Sequence, residues 1–191
     1  MHSPCARALQ VLHLGHGLSS PFTSYHDLDV FRGTIGWGDA RLDMDIRTDV
    51  FHGLHVHRGI LQMYRDANVP QHSSAKIIGG YSAGGVLAIL RAIELTAQGH
   101  DVEGVVTVAA PKFLRPSSLA HIQDLLTDVP VHRVYSRHDI IPLVPPHFAH
   151  FGEEHPLSDP TWRGNALQAH LGPTYAALLH AHLGATDLDA A

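Results

Sequence analysis

Lys76-Ile77-Ile78-Gly79-Gly80-Tyr81-Ser82-Ala83-Gly84-Gly85-Val86 is the stretch on which the fold of this chain turns. Residues 76–79 are a brief apolar run. Over residues 86–97 apolar side chains recur at helical spacing, and Gly99 stands where a helix stop belongs. Between the two, Gly80-Tyr81-Ser82-Ala83-Gly84 forms a G-x-S-x-G turn from strand to helix. A serine on so sharp a turn adopts a strained backbone and presents its hydroxyl at the carboxyl edge of a sheet. Glycines two positions to either side remove the Cβ atoms that would collide where strand and helix approach. The helix N-terminus beside Ser82 also favours negative charge developing on a bound carbonyl. The five residues alone equally describe a glycine-rich turn with an incidental serine. The strand before them and the helix after them favour a nucleophile.

The same alternation continues outward. Residues 27–31 read as a short strand ending at Arg32-Gly33-Thr34. Leu42, Met44 and Ile46 alternate with Asp43, Asp45 and Arg47, the period of a half-exposed strand. Residues 56–68 read as a helix stopped by Pro70, and residues 105–109 as a buried β-branched strand between Gly104 and Pro111. A helix is expected over 117–126, a strand over 131–135 and a last helix over 173–183. Strands alternating with helices predict a three-layer α/β sandwich with a mostly parallel central sheet, reduced in size. No repeat, low-complexity tract or long linker interrupts the 191 residues, so one domain over 1–191 is expected.

Composition narrows the function. Hydrophobic residues make up 45% and charged residues 16%, an ordinary globular balance. A formal net charge of −5 argues against nucleic acid as a partner, since phosphate contacts want clustered Lys and Arg. No run is long and apolar enough for a membrane span, and no signal-peptide pattern opens the chain, which favours the cytoplasm. Cys5 is the lone cysteine and makes no internal disulfide. Eighteen histidines raise the question of metal, with His52, His55 and His57 and with His147, His150 and His155 as clusters. Neither has zinc-motif spacing, and no metal is expected.

A nucleophilic serine needs a base, and the base an orienting acid. In α/β hydrolases the order along the chain is Ser, then Asp or Glu, then His. Asp139 follows the 131–135 strand at the sheet's carboxyl edge and is the best acid. Candidate bases beyond it are His147, His150, His155, His170, His180 and His182.

Arg137-His138-Asp139-Ile140-Ile141-Pro142-Leu143-Val144-Pro145-Pro146 resembles the segment around the catalytic Asp of class 3 lipases, the α/β-hydrolase group of the fungal triacylglycerol lipases. Phe31-Arg32-Gly33-Thr34 is similar to that family's oxyanion loop, His57-Arg58-Gly59-Ile60 to its H-x-G-F segment, and Ala109-Ala110-Pro111-Lys112 to its G-A-P-R segment. The resemblance runs over about residues 28–175 with its motifs in order. Tyr81, Ala83 and Ala110 depart from it, standing where the family usually has His, Leu and Gly.

The resemblance implies a serine carboxylic-ester hydrolase, a lipase or esterase, with Ser82 and Asp139 catalytic. Ala169-His170-Leu171, with Tyr175 soon after, resembles the family's terminal histidine segment and favours His170 as base. His180 and His182 fall in the expected last helix, and His150-Phe151-Gly152-Glu153 is similar to a non-catalytic stretch. Thr34 and the N–H of Ala83 are the implied oxyanion hole. Residues 35–41 stand where fungal relatives carry a lid, with Trp37 facing an acyl chain, a membrane surface or the core. No cofactor is implied, the substrate is an ester or lipid small molecule, and transient contact with a lipid surface fits the family. Oligomeric state is left open. Other acyl substrates (phospholipid, polyester, thioester or amide) and a catalytically inactive lipid- or partner-binding relative stand as alternatives.

Overall fold

A computed structural model describes residues 3–15, 20–33, 47–71 and 73–189. Thr34, residues 35–41 with Trp37, and the alternating Leu42, Met44 and Ile46 lie outside the described residues.

Among the described residues, five α-helices and eight strands follow the order α1 (Pro4–Gly15), β1 (Phe22–Tyr25), β2 (Leu28–Phe31), β3 (Thr48–Phe51), β4 (Leu54–His57), α2 (Arg58–Asp66), β5 (Ile77–Tyr81), α3 (Ala83–Ala97), β6 (Gly104–Val108), α4 (Leu119–Leu125), β7 (Val131–Ser136), β8 (Glu153–Leu157) and α5 (Gly172–Asp189). The main sheet has the order β1-β2-β5-β6-β7-β8. Every neighbour pair from β2 to β8 is parallel, and β1 alone is antiparallel. The mostly parallel sheet expected from the alternating pattern is the one observed.

Period-two alternation along the strands sends side chains to two cores. Leu28, Val30, Val106, Val108, Val134 and Leu157 pack under α1 and α5, against Val11, Leu12, Tyr175 and Leu179. Phe31, Ile78, Val105 and Val131 face α2, α3 and α4 on the other side. α3 is buried almost all round, from Ala83 to Ile93 and again at Leu95. A helix apolar on every face belongs in the middle of a molecule, and α3 sits between the sheet and α2 with α4. Its buried Arg91 is tied down by Glu94 Oε2 at 2.8 Å and the Pro70 carbonyl at 2.6 Å.

The expected helix over 56–68 begins two residues too early. Val56 and His57 end β4, which pairs with β3 around His52 and Gly53, both at positive φ. His57 then caps α2, its Nδ1 accepting from the Ile60 N–H at 3.4 Å. Pro116–Ser118 opens the 117–126 segment as a 3-10 turn before α4. α1, β1, β3 and β8 add to the elements expected from the sequence pattern. No described helix is long and apolar enough to cross a membrane.

Candidate active site

β5 ends in Tyr81, α3 begins at Ala83, and Ser82 between them has φ 55° and ψ −130°. That backbone is costly for any residue with a Cβ, and the chain is held in it by closely packed neighbours. A Cβ on Gly80 would lie 2.0 Å from the Gly84 carbonyl oxygen. A Cβ on Gly84 would lie 2.4 Å from the carbonyl oxygens of Phe31 and Arg32. Both glycines are therefore sterically required, as the turn's mechanics demand. The Ser82 N–H donates to the Val108 carbonyl at 2.8 Å, which fastens the turn to the carboxyl end of β6.

Parallel strands deliver the partners to the same edge. Asp139 follows β7, in the turn just before the 3-10 segment Ile141–Leu143. His170 closes the 3-10 turn Gln168–His170 that leads into α5. Ser82 Oγ and His170 Nε2 are 2.9 Å apart, and His170 Nδ1 lies 2.7 Å from Asp139 Oδ2. An ionised carboxylate only accepts hydrogen bonds, so Nδ1 carries the ring proton. The Nε2 lone pair then faces the serine hydroxyl. The Asp139 side chain is shut off from solvent and that of His170 nearly so.

Asp139 is held by more than the imidazole. Its Oδ2 also accepts from the Tyr175 hydroxyl at 2.8 Å, and its Oδ1 accepts from the Ile141 N–H at 2.9 Å. The Tyr175 oxygen in turn accepts from the Ser136 N–H at 2.9 Å, so its one proton points at the carboxylate. Burial, followed by the Asp139 charge, pushes the Tyr175 hydroxyl far above its ordinary pKa and keeps it a donor.

Tyr81, noted in the sequence only as a departure from the family's His, has a place here. Its ring stacks on that of His170, with centroids 5.4 Å apart and planes at 24°, and its hydroxyl donates to the His170 carbonyl. An aromatic between Gly80 and Ser82 was the available signal, since such a side chain beside a buried imidazole is a natural stacking partner. Ala83 is the first residue of α3, so its N–H is one of the donors a helix leaves without an internal acceptor. Thr34 is outside the described residues.

The other histidines singled out in the sequence are placed elsewhere. His180 is exposed on α5 with its ring 6.1 Å from that of His13, and His182 is exposed on the same helix. His147 is exposed on its loop, and of the 52–57 cluster His52 and His55 are exposed while His57 is the buried α2 cap. His150 is largely buried, and its Nε2 donates to the Pro142 carbonyl at 2.6 Å.

Burial first, and then the Arg133 charge, push the His150 imidazole down to about 4. The unfolded chain binds a proton there near pH 6.5, the ordinary histidine value of about 6.5, while the folded chain does not. Stability is therefore fully present above about pH 6.5 and is lost as the pH falls towards about 4, by roughly 1 kcal/mol per pH unit. Urea unfolding across that range should show this slope in the wild type and a shallower one in His150→Gln. Parallel slopes would mean that His150 does not titrate as described.

A mostly parallel sheet with helices on both faces, and a strand–serine–helix elbow at its carboxyl edge, define the α/β-hydrolase class. Within it the chain belongs to the class 3 lipase family: the family described as Lipase (class 3) matches residues 30–149. Two curated relatives, lipases of Rhizopus niveus and Rhizopus oryzae, are each 28% identical over 145 residues, covering 66% of this chain. The match spans 36% of the length of each of those relatives. Among solved structures, the lipase of Rhizopus microsporus var. chinensis superposes with a TM-score of 0.57 at 25% identity, over 68% of this chain and 52% of that one. A Rhizomucor miehei lipase in its propeptide complex gives 0.59 at 26% identity, over 69% and 49%.

Proposed function

We propose that this chain hydrolyses carboxylic esters through an acyl-enzyme intermediate, with Ser82 as nucleophile, His170 as base and Asp139 as its orienting acid. The observation that carries the proposal is the continuous hydrogen-bonded line from Ser82 Oγ through His170 to Asp139, at 2.9 and 2.7 Å. One solved neighbour, 25% identical with a TM-score of 0.54, is a triacylglycerol lipase described as having a serine protease triad as its catalytic centre.

In the proposed reaction His170 Nε2 takes the Ser82 proton as Oγ attacks the ester carbonyl. Asp139 stabilises the imidazolium, and the imidazolium returns the proton to the leaving alkoxide. Water, activated by the same Nε2, then releases the acyl group as the acid. The Ala83 N–H, at the positive end of α3, would receive the oxyanion together with Thr34. No step needs a metal or an organic cofactor.

A lipid-like substrate is supported by the rim of the site. Ile140 and Leu143 are exposed on the segment that carries Asp139, and Leu167 and Leu171 on the one that carries His170. Four exposed apolar side chains on these two segments suit an acyl chain or transient contact with a lipid surface.

A fluorophosphonate probe tests activation directly, because only a hydroxyl with a working base is phosphonylated. The expected result is one adduct per chain, mapped to Ser82 by peptide mass and lost in His170→Ala. His180→Ala and His182→Ala should label at rates within about tenfold of wild type. Absence of labelling in the folded wild type would favour the inactive binding relative instead.

A further inference from the structure

We propose that His132, Glu153 and His155 form a binding site for a divalent transition-metal ion, zinc by chemistry, on the outer pair of strands. The parallel register sets His132 of β7 opposite Glu153 of β8, and His155 two residues further along β8. Alternation along a strand puts all three side chains on one face. His132 Nδ1 and His155 Nε2 are 3.0 Å apart, and Glu153 Oε2 lies 3.4 Å from the first and 3.9 Å from the second.

Those separations suit one ion. Ligand atoms on a tetrahedral zinc with bonds of about 2.0–2.1 Å stand roughly 3.3–3.4 Å apart, and the observed values bracket that figure. The circle through the three atoms has a radius of about 2.0 Å, so one point lies a zinc-bond length from each. Glu153 is 68% exposed and each imidazole 24%, which leaves a solvent-side position for water. Two imidazoles and a carboxylate select zinc, copper or nickel over magnesium and calcium, which take oxygen ligands.

The surroundings fit a cation. On the opposite face Arg133 pairs with Glu154 at 3.1 Å, and Tyr135 donates to the same carboxylate at 2.9 Å. The nearby arginine is thereby occupied, and among the described residues Glu153 pairs with the two imidazoles alone. These contacts also cross-brace β7 and β8, so the ligand-bearing backbones are fixed beforehand.

The site lies at the amino-terminal ends of its strands, whereas Ser82 and Asp139 follow carboxyl ends. Zinc held there would clip the edge strand β8 to β7. Beyond β8 the chain runs to Asp159, whose carbonyl accepts from His138 Nε2 at 2.9 Å, next to Asp139. The inference does not depend on the proposed ester hydrolysis.

The test is zinc titration of the tag-free chain by calorimetry, with thermal unfolding alongside. One zinc per chain is expected to bind ahead of any weaker histidine sites. At zinc concentrations about a hundred times the dissociation constant, Tm should rise by about 5–10 °C. Magnesium and calcium should give no rise. His132→Gln and His155→Gln should each lose the shift, and the exposed Glu153→Gln, which leaves packing untouched, should weaken it. An unchanged zinc shift in Glu153→Gln and in the histidine double variant would place the ion elsewhere and overturn the proposal. No shift in the wild type would leave only a hydrogen-bonded imidazole pair, which overturns it equally.

Discussion

Ser82→Ala is expected to lower kcat/KM on a short-chain nitrophenyl ester by about 10⁴-fold or more, with the chain still folded. The hydroxyl carries the proposed chemistry and little of the packing: Ser82 is half-buried, and its Oγ has His170 Nε2 as its partner. Alanine keeps the Cβ, so the burden of φ 55° is the same in both proteins. Losing one partly buried hydrogen bond costs about 1 kcal/mol, which for a chain of this size moves Tm by about 2–4 °C. The measurement is paired kinetics and calorimetry on the same preparation. Substantial turnover by a variant free of contaminating esterase would remove Ser82 from the mechanism. A collapse of Tm would show that the elbow needs the hydroxyl for structure.

The elements that were legible in the sequence are those buried on both faces or marked by steric necessity. β5 and β6 sit in the middle of the sheet and read as short, mostly apolar runs because helices cover both their faces. The elbow was legible because Gly80 and Gly84 leave room for backbone alone. β8 was not. As an edge strand it is paired on one side, and its Glu153-Glu154-His155-Pro156 carries no apolar alternation before Leu157. α1 did leave a signal, with Cys5, Ala8, Val11 and Leu12 at helical spacing behind Pro4, and all four are buried. β4 was absorbed into α2 because Val56 and Ile60 are spaced as a helix would space them, although a strand supplies the first.

The site shows the same division between local and long-range information. Ser82 and Asp139 are placed by strand ends, which a chain-order argument reaches. Which histidine meets Ser82 is settled by how the 3-10 turn at Gln168–His170 docks, and no spacing encodes that. Tyr81 stacking on His170, 89 positions away, and His132 meeting Glu153 and His155 across two strands are likewise products of topology.

Asp139→Asn is expected to reduce kcat/KM by about 10⁴-fold, as the same replacement does in the serine-protease template, where the imidazole is left in the wrong tautomer. The geometry says why the amide fails here. Oδ2 accepts two hydrogen bonds, from His170 Nδ1 and the Tyr175 hydroxyl, and Oδ1 accepts a third from the Ile141 N–H. An asparagine has one acceptor oxygen to meet these two sides. With its oxygen toward His170, its NH₂ faces the Ile141 N–H, donor against donor, in a buried turn. With its NH₂ toward His170, the imidazole must offer Nδ1 as acceptor and carry its proton on Nε2. That tautomer points a hydrogen at Ser82 and cannot take the serine proton. In neither orientation does a negative charge remain to stabilise the imidazolium that forms as Oγ attacks. Tyr175→Phe provides the control, since it removes one donor to the carboxylate but leaves both the charge and the His170 bond; it should cost far less than Asp139→Asn. The readouts are kcat/KM and the rate of fluorophosphonate labelling, measured with circular dichroism on each variant. Asp139→Asn retaining activity within about tenfold of wild type, a barrier change of roughly 1.4 kcal/mol, would mean that His170 is oriented by something other than Asp139.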